Sequence, residues 1–279
     1  MPQAIIDSHA HVFVRDLPLA SARRYAPDYD ATLEQYLALL DEYDIRHGVL
    51  VQPSFLGTNN EYLLQALSEA KGRCVGVAVV DPGCGSDYLV TLRDQYVRGV
   101  RLNLFGAQDI NLRQTCWQQL FSRVKALDMH VELHAPIATL ANYIPAIIEH
   151  EVDLVIDHFG RPTLDNARTP QATLNTEQFN YLLSLSDSRG VFIKVSAIYR
   201  IFSQAQPDTL TALISLFMNT FTSERLMWGS DWPHTQHETR HQFGDSIGWA
   251  REYIEDPADR QNIFFSTAAS FYKIQGDNK

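Results

Sequence analysis

The chain is poor in cysteine, has no surplus of positive charge and carries no long apolar run. Its three cysteines, Cys74, Cys84 and Cys116, are odd in number and lack metal-type spacing. That argues against a disulfide framework or a cysteine-ligated zinc and points to a reduced, cytoplasmic compartment. Lysine and arginine total 23 against 33 acidic residues, a formal net charge of −10. No nucleic-acid surface is expected from that balance, because phosphate binding needs a basic patch. A few local arginines can still hold a small anion. No apolar run reaches membrane-spanning length, so no membrane contact is expected. The N-terminus has no basic region followed by an apolar one, so no secretory leader is expected. Pro- or Gly-rich linkers and low-complexity tracts are also missing, and residues 1–279 read as one domain.

What is present is a regular beat. Hydrophobic residues make up 45% of the chain, enough at this length for a full-sized core. A first strand runs from Ala4 into His9 and His11. Further strands are expected at 47–54, 74–81, 99–105, 130–135, 154–159, 191–196 and 226–231. Amphipathic helices separate them, opening near Asp30 and then at 60–71, 88–96, 112–127, 140–150, 177–186 and 208–221. Residues 163–176 read as polar loop. After Pro233 the chain reads as polar loop until a C-terminal helix over 257–271. Eight strand-then-helix units in this length predict an α/β fold, a single (β/α)8 TIM barrel. In such barrels the chemistry sits at the C-terminal ends of the strands.

Those ends carry many polar groups for an otherwise apolar barrel. They are His9 and His11, Gln52 and Ser54, Asp81, Arg101 and Asn103, Glu132 and His134. His158 with Arg161, Lys194 with Ser196, then Tyr199 and Arg200, and finally Asp231 complete the set. Such a concentration is costly without partners or a purpose. Strand alternation sets His9 and His11 side by side with Asp7 beneath them on the same face. Imidazole is both a metal ligand and a group that titrates near neutrality. Other residues have blander readings. His47, His130 and His150 read as surface histidines, and His234, His237 and His241 as solvated loop. Asp81 before Pro82 reads as a turn residue. Asp157 falls on the opposite strand face from His158 and reads as structural. Glu132 either faces the barrel or pairs with Arg101. Arg161 could serve only to fix its loop.

Three stretches carry a resemblance: Asp7-Ser-His-Ala-His-Val-Phe13, His158-Phe-Gly-Arg-Pro162 and Trp228-Gly-Ser-Asp-Trp-Pro-His234. Together they resemble the amidohydrolase superfamily. Within it they resemble the branch of 2-pyrone-4,6-dicarboxylate lactonases and related sugar and muconolactone lactonases. Gly99-Val-Arg-Leu-Asn103 and Lys194-Val-Ser-Ala-Ile-Tyr-Arg200 fit that branch as well. The resemblance implies a (β/α)8 barrel and a hydrolase that opens a carboxylated lactone. It implies Asp231 as general base, with His9, His11 and His158 polarising the carbonyl. It implies Arg101, Arg161 and Arg200 as carboxylate anchors, with Ser54, Tyr199, His134 and Tyr25 or Tyr29 seating the ring. Either no cofactor is required, or one divalent metal, zinc or manganese, is held by His9, His11, His134, His158 and Asp231. A two-metal centre is not expected, because Arg101 and Asn103 occupy the strand that supplies a bridging ligand in two-metal relatives. The implied partner is a small anionic lactone, and a homo-oligomer stays open. The alternatives are a single-metal-dependent decarboxylase of an aromatic or unsaturated acid, or a metal-dependent amide hydrolase. One departure stands out: Leu104–Asp109 lacks the second arginine of the pyrone enzymes. That predicts a monocarboxylate or a different second group.

Overall fold

Eight parallel strands follow one another around a barrel. They are β1 (Ile5–Ala10), β2 (Ile45–Val51), β3 (Cys74–Ala78) and β4 (Val97–Asn103), then β5 (His130–His134), β6 (Leu154–Ile156), β7 (Val191–Ser196) and β8 (Leu226–Gly229). Each pairs with the next in chain order. The seam between β8 and β1 closes just past the strand ends. There Asp231 N–H donates to His9 O and His11 N–H donates to Trp232 O, both at 2.8 Å. The computed structural model describes residues 4–106, 110–162, 170–201 and 207–274. Among them no helix is long and apolar enough to cross a membrane.

The helices are α1 (Leu33–Glu42), α2 (Glu61–Glu69), α3 (Ser86–Asp94), α4 (Thr115–Ala126), α5 (Leu140–Ile148) and α6 (Pro170–Leu174). After them come α7 (Glu177–Ser184), α8 (Ile198–Ile201), α9 (Pro207–Phe221), α10 (Phe243–Tyr253), α11 (Pro257–Gln261) and α12 (Thr267–Phe271). The first shows why they form. Thr32 accepts from Gln35 N–H while the Gln35 side chain accepts from Thr32 N–H, a reciprocal cap. Leu33, Tyr36 and Leu40 then bury one stripe against the barrel.

Several expectations need correcting. The stretch after Pro233 is not loop throughout, because α10 lies within it. Its Phe243, Ile247 and Ala250 are buried at helical spacing, a pattern obscured by the polar residues between them. Part of the 163–176 loop is α6; residues 163–169 lie outside the described residues. The C-terminal helix is interrupted by a wider π turn at Asn262–Ser266. β6 and β8 end earlier than their apolar runs, since His158, Phe159 and Asp231 adopt φ of 53°, 55° and 60°. Left-handed backbone cannot continue a strand.

Two further corrections concern which way side chains point. Asp7 does not share a face with His9. Register shifts in the β1–β2 ladder mark a bulge between Asp7 and Ala10, and one extra residue reverses the alternation. Asp7 therefore turns outward, accepting from Tyr36 Oη at 2.9 Å and Ser230 Oγ at 2.6 Å. His130 is not a surface residue: it is 3% exposed. The same alternation that orients Glu132 and His134 inward orients His130 inward too. Its ring packs on Phe271 and Tyr272, with centroids 4.9 and 5.4 Å apart. Below the site, Ile6, Val49, Val77, Val155 and Met227 fill the barrel, and Ala268 and Tyr272 plug its lower mouth. The barrel is thus sealed by apolar packing at one end and polar at the other.

Candidate active site

The polar end has a charged floor. Lys194, Glu132, Asp157 and His9 are all buried in the barrel interior, with Arg101 beside them. Lys194 Nζ donates to Glu132 Oε2 at 2.5 Å, approaches His9 Nδ1 at 3.0 Å and lies 3.8 Å from Asp157 Oδ1. Arg101 donates to Asp157 Oδ2 at 2.9 Å, while its Nε is 3.6 Å from Glu132 Oε1. Both readings of Glu132 are therefore realised: it faces the barrel and it neighbours Arg101. Asp157 makes its structural contact inside the barrel, with Arg101. Val155 points into the barrel, so Asp157, two residues on, does too. Burial pushes the Glu132 carboxyl up to about 7, against the pull of Lys194 and Arg101.

Above the floor sits Asp231. Tyr199 Oη and Arg200 Nε both donate to its Oδ2 at 2.6 Å. Its other oxygen, Oδ1, faces three imidazole Nε2 atoms: His11 at 3.7 Å, His9 at 3.8 Å and His158 at 4.0 Å. Burial works to raise the Asp231 carboxyl, but Arg200 and the histidines outweigh it and hold it well below the usual range. Burial lowers all three imidazoles: His9 well below its ordinary value, His158 to about 3, and His11 as well. The resting site thus pairs an ionised Asp231 with neutral histidines.

Sharp turns aim these groups. His158, Phe159 and Arg161 after β6, Ala197 after β7, and Asp231 and His234 after β8 all have positive φ. Such backbone costs on the order of 1–3 kcal/mol per residue and collects where side chains must be aimed. His234 is not solvated loop: it is 2% exposed, its Nε2 3.4 Å from Ser246 Oγ. His241 stacks on Tyr199 with centroids 4.2 Å apart, backing the ring that holds Asp231.

A cavity of about 130 Å³ opens over Asp231, His11 and His158, with Ser54, Arg101, Arg161, Arg200 and His134 in its wall. Of the expected substrate contacts Tyr25 also lines the cavity, while Tyr199 stays behind the wall on Asp231 and Tyr29 is outside it. The wall also includes residues that sequence reasoning missed: Arg24, Phe105, Thr235 and His237. Phe105 is the organising one. The guanidinium carbons of Arg24 and Arg161 lie 4.9 and 4.8 Å from its ring centroid, one cation–π contact each. Arg24 thus places a further cation in the wall, although Leu104–Asp109 has no arginine. Its only sequence signal was a place in the long first βα loop beside Tyr25. A larger cavity, near 900 Å³, lies at the opposite mouth. Two of its cations are already paired, Arg73 with Asp41 and Lys273 with Asp128.

The anchors differ in how far they are committed. Arg101 is engaged with Asp157 and Arg200 with Asp231. Arg161 donates to Arg200 O at 2.8 Å, and its buried Nε has no partner. Burial, with Arg200 adding, lowers Arg161 to about 10. Among the described residues neither Arg24 nor Arg161 has a carboxylate in contact. His134 is buried with both ring nitrogens unpartnered.

Among the described residues two groups lie close enough to hold one ion: His9 with His11 and Asp231, and His9 with Asp157 and His158. A ligating imidazole must offer a lone pair while its other nitrogen donates. His11 meets that requirement, because its Nδ1 donates to Val51 O at 2.7 Å. His9 does not, because its Nδ1 faces the Lys194 ammonium. The full ligand set therefore does not fit an ion as arranged.

The amidohydrolase family model matches residues 6–274. A solved structure of a probable 2-pyrone-4,6-dicarboxylic acid hydrolase from Acinetobacter baumannii, with citric acid bound, is 38% identical. That likeness covers 96% of this chain and 99% of that one, with a TM-score of 0.89. A 4-sulfomuconolactone hydrolase of Rhizobium radiobacter is 28% identical over 98% of this chain and 91% of its own. A 2-pyrone-4,6-dicarboxylate hydrolase of Comamonas testosteroni is 27% identical over 84% and 78%. The chain belongs to the amidohydrolase family, close to its 2-pyrone-4,6-dicarboxylate hydrolase-like branch.

Proposed function

We propose that the chain hydrolyses the ring ester of a lactone that carries carboxylate groups. The observation that carries this reading is the pair of guanidiniums, Arg24 and Arg161, with no carboxylate in contact among the described residues, beside an ionised Asp231. A guanidinium matches a carboxylate through two parallel hydrogen bonds, so the substrate's carboxylates complete the site's charge balance. The names of the two curated relatives, a pyrone dicarboxylate hydrolase and a sulfomuconolactone hydrolase, support the same class.

The reaction uses groups already in place. A water held between Asp231 Oδ1 and His11 Nε2 loses its proton to Asp231 and adds to the lactone carbonyl. His9 Nε2–H, with His158, donates to the oxyanion that forms. Pre-aimed donors of this kind are worth about 3 kcal/mol each. Collapse of the tetrahedral adduct breaks the ring C–O bond, and Asp231 returns its proton to the leaving oxygen. Arg200 and Tyr199 keep Asp231 ionised and oriented, and Arg101 secures the floor. Ser54 and His134 contact the ring.

The test is a panel of lactones with no, one or two carboxylates, assayed on metal-stripped protein with metal content measured in parallel. Turnover confined to carboxylated lactones is expected. Equal turnover of the uncharged members, or none of the charged ones, would overturn the reading.

A further inference from the structure

We propose that Lys194 is a positioning residue that locks His9 in the Nε2–H tautomer, so that the two histidines of the His-x-His pair act as chemical opposites. An ammonium has donors and no acceptor. The 3.0 Å contact between Lys194 Nζ and His9 Nδ1 therefore leaves Nδ1 as the acceptor. The proton of a neutral His9 must then sit on Nε2. Carboxyl oxygens of Glu132 and Asp157 flank the other sides of Nζ, at 2.5 and 3.8 Å.

A second observation agrees. His9 Nε2 is buried and has no partner among the described residues. It is turned toward the space beside Asp231 Oδ1, 3.8 Å away. A donor left unsatisfied in a buried site costs free energy unless a ligand supplies the acceptor. His11 is held the other way. Its Nδ1 faces the Val51 carbonyl, which can only accept, so its Nε2 carries the lone pair. The pair thus presents one N–H and one lone pair, fit for a carbonyl oxygen and a water respectively. The same lock opposes a divalent ion at His9, since ligation needs the lone pair that the proton occupies. Releasing it would let His9 Nδ1 donate to Asp157 Oδ1, now 3.4 Å away, the arrangement a metal-bound histidine adopts.

The test reads the tautomer directly, by long-range proton–nitrogen NMR on protein labelled at histidine, with His9 assigned from the spectrum of His9→Asn. Wild-type His9 is expected as the Nε2–H form and His11 as the Nδ1–H form. Lys194→Met alone strands the buried Glu132, so Lys194→Met/Glu132→Gln is the variant to compare. In it His9 should switch to Nδ1–H, and zinc affinity by calorimetry should rise about 10- to 100-fold. A wild-type Nδ1–H signal, or an unswitched variant, overturns the proposal, and unchanged zinc affinity in a switched variant overturns its metal corollary. Only the kinetic arm rests on lactone hydrolysis: kcat should fall about 100-fold with KM nearly unchanged. A switched tautomer with undiminished turnover would support the lock while counting against His9 as the carbonyl donor.

Discussion

Arg24→Met removes a charge from the cavity wall and keeps much of the stem that covers Phe105. Its guanidinium lies 4.9 Å from the Phe105 ring and has no carboxylate in contact among the described residues, so the variant strands no protein anion. At 4 Å and an effective dielectric of 20, a guanidinium–carboxylate contact is worth about 4 kcal/mol before desolvation. Arg24 is exposed on one side, and solvent screening discounts that figure heavily. A net value near 1.5 kcal/mol is in line with charge-assisted hydrogen bonds. Since about 1.4 kcal/mol is tenfold, kcat/KM for a dicarboxylated lactone should fall roughly tenfold. The contact is remote from the reacting carbonyl and equal in ground and transition states, so the loss belongs in KM. A monocarboxylate seated on Arg161 should be nearly indifferent, and the effect should shrink with salt. Steady-state kinetics on both substrates at two ionic strengths decide it. Equal losses on both, or a drop in kcat at constant KM, would refute the assignment of Arg24.

Asp231→Asn should lower kcat by 100-fold or more, the usual range for a lost general base, while a non-hydrolysable carboxylated ring still binds; near-normal turnover would remove Asp231 from its role. A Cβ on Gly229 would stand 2.8 Å from His9 Cβ and 2.9 Å from His9 N. Gly229→Ala should therefore displace His9, costing about 1–3 kcal/mol of stability and more activity than stability, and thermal melts with kinetics would expose an unperturbed variant. Burial pushes His130 down to about 3. The unfolded chain binds that proton near 6.5, so stability is fully present above pH 6.5 and drains away as pH falls toward 3. At 1.36 kcal/mol per unit the loss reaches roughly 5 kcal/mol at most. His130→Leu should flatten the acid limb of urea-unfolding free energies between pH 6 and 4; an unchanged slope would acquit His130.

Periodicity alone carried the barrel, because each βα unit writes its own apolar pattern and short connections leave one way to close eight of them. The same logic put His9, His11, His134, His158 and Asp231 at one end, and the structure gathers them there. Alternation was also enough to turn His130 and Asp157 inward, although a place at a strand start had favoured the surface for one and the face opposite His158 a structural contact for the other. Asp7 shows the opposite case. A bulge is a property of two strands' pairing, which no single strand's pattern reports.

The sequence by itself determined the fold and which acid and imidazoles stand at the strand ends. Tertiary structure alone decided how those groups are spent. It set Arg200 on Asp231 and Arg101 on Asp157, left Arg24 and Arg161 without a carboxylate in contact among the described residues, and placed Lys194 against His9 from 185 residues away. The physical reason is range. Secondary structure follows from neighbours a few residues apart, whereas pairing, tautomer and charge balance depend on contacts across the barrel that exist only once it has closed.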